Sequence, residues 1–167
     1  MDEIFEIVND NNNIIGTAPR SQCHGNPELC HRTAHVIVLN ESGDILLQKR
    51  SKNKDIQPGK WDTAVGGHLM IGETFKQAAV REMNEELGIP PEQQISFLFN
   101  MKIINEVESE NVAVYSTVYQ GHFKIQKSEI DEIKFWPVTE LINSMTEKSF
   151  TPNCILEIKE FLECSRM

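Results

Sequence analysis

GGHLMIGETFKQAAVREMNEELGIPP, residues 66–91, carries the start and stop signals of a helix and a conflict inside it. Thr74 and Gln77 have the spacing of a capping box, in which the threonine hydroxyl accepts from the Gln77 backbone N–H and the glutamine amide reaches back to the cap. Gly88 can adopt the left-handed backbone that closes a helix, and Pro90-Pro91 prevent continuation. The spacing predicts a helix over Phe75 to Leu87. Ahead of it, Gly66, Gly67 and Gly72 permit close approach of backbone to a ligand.

The conflict is one of charge. On a helical wheel Phe75, Ala78 and Ala79 define an apolar face, and Glu82 and Glu86 fall in the middle of it, with Glu85 at its edge. Like charges at such spacings cost roughly 0.2–0.5 kcal/mol per pair when exposed, and several kcal/mol per unpaired charge when partly buried. Arg81 offsets part of this, but it sits well round the helix from Glu82 and Glu86 and reaches Glu85 most naturally. A hard divalent cation suits the remainder. Oxygen-rich sites of this kind prefer Mg²⁺ or Mn²⁺, and Mg²⁺ characteristically pairs one or two carboxylates with a phosphate oxygen of a ligand.

Outward from this helix the chain alternates strand and turn signals. Ile4 to Val8 and Ile14 to Thr17 flank the turn-forming Asn9 to Asn13, predicting an N-terminal hairpin. His35 to Leu39 and Ile45 to Lys49 flank Asn40-Glu41-Ser42-Gly43, predicting a second. Further strands are expected at Asp62 to Val65, Ile95 to Glu106, Val112 to Phe123 and Glu132 to Val138, and a short helix near Thr139 to Met145. Thr151 can cap a C-terminal helix with Pro152 in its first turn and Ile155, Ile158 and Leu162 at helical spacing. The expected class is α+β.

With 167 residues, 40% of them hydrophobic, the chain can build one sizeable core, and one domain over 1–167 is expected. No apolar run approaches the roughly 20 residues of a membrane span, and Met1-Asp2-Glu3-Ile4 lacks the basic start of a signal peptide, so a cytoplasmic location is expected and a membrane partner is not. A net charge of −9 without a lysine/arginine cluster argues against a nucleic-acid polymer as partner. Cys23, Cys30, Cys154 and Cys164 show no close-paired spacing and read as reduced thiols.

The segment Gly67 to Ile89 resembles the Nudix box: Gly67, five residues, Glu73, seven residues, Arg81-Glu82, the apolar Met83, Asn84, Glu85-Glu86, Leu87, Gly88 and Ile89. The resemblance implies the Nudix fold, an α/β/α sandwich around a mixed β-sheet, here with an N-terminal hairpin extension. It implies that Glu82, Glu85 and Glu86, with the Gly67 carbonyl, bind catalytic Mg²⁺ or Mn²⁺, and that Glu73 and Arg81 orient them. The family's usual reaction is hydrolysis of a small-molecule diphosphate by water that a glutamate deprotonates. Within the family that base lies either in the box or on a later loop, leaving Glu85, Glu129 and Glu132 as candidates.

Ile15 to Ala18, His31-Arg32, Leu47 to Arg50, Pro58 to Asp62 and Phe150 to Pro152 are similar to the Nudix branch that includes type I isopentenyl-diphosphate isomerase. That enzyme holds a second metal with three histidines and two glutamates, which His24, His31, His68, Glu108 and Glu110 match, the glutamates with a one-residue shift. Gly66, however, stands where the isomerase has its catalytic cysteine. Carbon protonation needs that thiol, whereas hydrolysis needs only metal, water and a base. A Nudix hydrolase is therefore expected, with the isomerase, or a diphosphate-binding module without turnover, as the alternatives. Lys49 and Arg50, at a strand end, are candidates for phosphate oxygens, and Trp61 for stacking on the ligand, while Trp136 is assigned to the core. A homodimer is left open.

Overall fold

The computed structural model describes residues 2–165. The signals around residues 74 and 88 act as read: α2 spans Phe75–Leu87, Thr74 and Gln77 form a reciprocal capping box, and Gly88 closes the helix with φ 67°. Thr74 is exposed and touches the fold mainly through its cap, so Thr74→Ala should lower stability by about 1 kcal/mol without altering the midpoint slope in chemical denaturation. A loss below about 0.3 kcal/mol would show that the cap is dispensable.

Nine strands accompany four helices among the described residues. β1 (Ile4–Val8) and β2 (Ile14–Pro19) form the N-terminal hairpin, followed by a four-residue helix α1 (Arg20–Cys23) too short to announce itself by periodicity. β3 (Cys30–Leu39) is the central strand. It runs parallel to β8 (Ser109–Val118) over ten positions, from Cys30↔Ser109 to Leu39↔Val118, and antiparallel to β6 (Val65–His68). β7 (Ser96–Ile104) pairs with the far side of β8. β4 (Ile45–Arg50) carries β5 (Trp61–Thr63) on one side and β9 (Ile130–Trp136) on the other.

Two expectations change here. The predicted second hairpin exists only at its turn: β3 and β4 share one register position, Leu39↔Ile45, and then part, because β3 commits its edges to β8 and β6. The expected strand over Asp62 to Val65 is two strands, since the chain passes at the buried Ala64 from β4 to β3. The mixed sheet therefore has two blades joined at one corner.

Strand alternation gives each face its own core. Ala34, Val36, Val38, Val65 and Ala113 meet Ala78, Ala79, Met83 and Leu87 of α2. Ile37, Leu47, Val112, Val114 and Trp136 meet Leu141 of α3 (Val138–Ser144) and Cys154 and Ile158 of α4 (Pro152–Cys164) on the opposite face. This is the expected α/β/α layering. No described helix is long and apolar enough to cross a membrane.

Candidate active site

The gap between the blades is a cleft of about 1480 Å³, into which α2, β6 and the loops after β4 and before β9 present polar side chains and the N-terminal hairpin presents Ile4 and Phe5. Its acidic wall is built on α2. Glu82 turns into the space that Gly67 leaves, so close that a Cβ at 67 would lie 2.1 Å from its Cδ and Oε1. Glu86 is 8% exposed, and its Oε2 accepts only long bonds from Gln48 Nε2 (3.3 Å) and the Gly66 N–H (3.4 Å). Burial, reinforced by the charge of Glu82, pushes its carboxyl up to about 8. Burial also raises Glu82, against the pull of Arg81. Glu85 lies at the exposed rim.

Arg81 does not serve chiefly Glu85, as its wheel position suggested. Glu73, from the loop before α2, grips the guanidinium at Nε and Nη2 (both 2.9 Å), and Nη2 also donates to the His68 carbonyl (3.0 Å). The fork so fixed aims Nη1 at Glu82 (2.6 Å) and leaves Glu85 at 3.3 Å. The arginine holds the Glu73 carboxyl below its ordinary value.

Glu129 lines the cleft and is ion-paired with Lys54. Glu132 does not line it, lying on β9 at 4.0 Å from Lys49. Arg50 reaches the cleft, with its guanidinium held by Asp62 (3.0 Å) and the Ile56 carbonyl. Lys49 and Trp61 are not brought there. They are register partners on the opposite face, where Lys49 Nζ lies 5.7 Å over the Trp61 ring and Trp61 packs edge-on against Trp136. The period-two alternation that sends Arg50 to the cleft sends Lys49 away from it.

A second polar group lies deeper in the same cleft. His24, His31 and His68 bring ring nitrogens within 4.8 Å of one another. The β3–β8 register sets His31 opposite Glu110, whose Oε1 lies 3.3 Å from His31 Nε2 and 3.5 Å from His68 Nε2, and Glu108 Oε2 is 3.8 Å from His24 Nε2. Among the described residues, all three Nε2 atoms are buried without a hydrogen-bond partner. Burial, with His68 beside it, drives His24 down to about 4, and burial lowers His68 as well, leaving both neutral at pH 7. Burial would raise Glu110, but the His31 and His68 rings lying against it bring it below the usual range. Phe5 stacks on His31 (5.0 Å) and His68 (4.3 Å), so the hairpin roofs the group. Phe5 and Lys54 carry no local motif; only their place on a paired strand and a loop brings them to the cleft.

Residues 30–155 match the model of the NUDIX domain family. The chain is 35% identical over 162 residues to the uncharacterized Nudix hydrolase YPO2781/y1614/ of Yersinia pestis, covering 96% of this chain and 86% of that one. It is 33% identical over 155 residues to the uncharacterized Nudix hydrolase YfcD of Escherichia coli K12, covering 92% and 83%. Among solved structures, DR0079 from Deinococcus radiodurans superposes with a TM-score of 0.83 at 19% identity over 95% of this chain and 98% of its own. The NUDIX domain of Shewanella oneidensis NrtR, solved with ADP ribose, gives 0.63 at 18% identity over 79% and 86%.

Proposed function

The chain belongs to the Nudix family, and from that premise we propose that it is a divalent-metal-dependent hydrolase, one Nudix domain that cleaves the diphosphate linkage of a small molecule such as a nucleoside diphosphate derivative. The observation that carries this reading is the acidic wall: Glu82 and Glu86 are turned inward onto a glycine-lined cleft with too few donors to balance them. Hard carboxylate oxygens, one nearly buried, fit Mg²⁺ or Mn²⁺. Glu82, Glu85, Glu86 and the Gly67 carbonyl would hold the ion. When bound, it supplies charge that polarises the phosphoryl oxygens and favours ionisation of water.

The chain's own groups do the rest. Glu73 fixes Arg81, and Arg81 fixes Glu82. Arg50 and Lys54, at the cleft mouth, bind phosphate oxygens. The water proton passes to Glu85 or Glu129, the two candidate carboxylates that line the cleft.

The histidine group supports a second divalent site, because three orphaned ring nitrogens beside two carboxylates form a ready donor set. It also favours the runner-up, an isopentenyl-diphosphate isomerase, against which Gly66 weighs.

The test is a panel of nucleoside triphosphates, dinucleotides, ADP-ribose and isopentenyl diphosphate with Mg²⁺ or Mn²⁺, resolved by mass spectrometry. Cleavage between phosphorus atoms that stops in EDTA is expected. An allylic isomer with the nucleotides intact would replace the hydrolase with the isomerase, and a thermal shift with every ligand returned unchanged would make the domain a binder.

A further inference from the structure

His35 lies on β3 four residues beyond His31, and its side chain is 9% exposed. Its Nδ1–H donates to Glu157 Oε2 at 2.5 Å, and Glu157, on α4, has no exposed surface. Burial alone would lower the imidazole, but the Glu157 carboxylate, with Glu110 and Asp62 adding to its field, raises it to about 9. A buried ion pair of this kind is weak evidence for stability, since apolar replacements of similar volume are often neutral or stabilising. Function is the better account when such a pair faces a cleft.

This one does. His35 lines the cleft, and among the described residues its Nε2 makes no hydrogen bond. It lies 3.0 Å from where a Cβ at Gly66 would be, so it fills the space of the side chain that position 66 lacks. Thr33, two residues back on the same face of β3, is 2% exposed and also lines the cleft, with its buried Oγ1 unpartnered. Residues so spaced lie about 7 Å apart along a strand.

We propose that His35 Nε2 and Thr33 Oγ1 form a subsite that donates hydrogen bonds to phosphoryl oxygens of a bound diphosphate, with Glu157 as the positioning residue that orients the imidazole. The inference rests on the reading of the cleft as a diphosphate site. Neutral asparagine-like donors would not replace it, because the buried carboxylate keeps the ring protonated and correctly turned.

Titration calorimetry of the full chain with methylenediphosphonate, a non-hydrolysable diphosphate, in Mg²⁺ tests both readings separately. Affinity in His35→Phe should fall about ten-fold or more, as expected for loss of a charge-assisted hydrogen bond, and in Thr33→Val by about three- to ten-fold. On the unsubstituted protein, the ¹⁵Nε2 resonance of His35 should move on addition of methylenediphosphonate, which a purely structural pair would not do. If the parent binds and the His35→Phe affinity stays within about two-fold with that resonance unmoved, the subsite is overturned and the cleft reading survives. If the parent fails to bind, the diphosphate reading falls and the subsite with it.

Discussion

Glu86→Gln should lower turnover by about 10²–10³-fold in Mg²⁺ while making the metal-free protein more stable above neutral pH. The same burial drives both effects. In the folded chain without metal the Glu86 carboxyl titrates near 8, against an ordinary 4.5. The folded state then holds this proton more tightly than the unfolded state. Its contribution to stability is full below about 4.5 and is lost progressively as pH rises through 8, a loss on the order of a few kcal/mol. In EDTA the melting temperature of the parent should therefore decline from pH 5 to pH 8.5, and that of Glu86→Gln should decline much less. Added Mn²⁺ should restore the parent and scarcely move the variant. Parallel melting curves for the two proteins across this pH range would refute the account.

Gly67→Ala should be nearly as damaging to activity, although it adds one methyl group. That methyl would stand 2.1 Å from the Glu82 carboxyl, and Glu82 is also tied to Arg81 at 2.6 Å, so the carboxylate cannot yield without breaking the Arg81–Glu73 fork. Turnover should drop by about 10²-fold and Mn²⁺ affinity by roughly 10–100-fold, with the far-ultraviolet circular dichroism unchanged. Gly66→Ala is the control: its methyl meets the His35 ring at 3.0 Å, a contact that small shifts relieve, and Mn²⁺ affinity should hold. Parent-like Mn²⁺ binding in Gly67→Ala would remove Glu82 from the metal site.

The helix that carries the acidic wall is legible in the sequence because its signals are local. The capping box, Gly88 and the glutamates misplaced on an apolar face all lie within one helix and its flanks, and α2 begins and ends where those signals put it. That Lys49 and Trp61 lie away from the cleft is not legible in the same way. Alternation separates the two faces of β4, but nothing in a strand's own residues says which face a cleft will adopt. The parting of β3 from β4 depends on β8, and the His35–Glu157 pair joins residues 122 apart, so neither leaves a mark in any short window. Arg81 shows the intermediate case: its partners were near at hand, but Glu73 in the preceding loop, and not helical spacing, decides where its fork points.

The parallel β3–β8 ladder has a further consequence, for the order of assembly. It joins Cys30 to Ser109, 79 positions along the chain (109 − 30), and a contact of that span forms only after its loop-closure entropy has been met. The acidic wall needs little more than α2 and the glycines just before it, whereas the juxtaposition of His31 with Glu110 exists only once the ladder has closed. During synthesis the histidine group is thus completed only when β8 has emerged and docked.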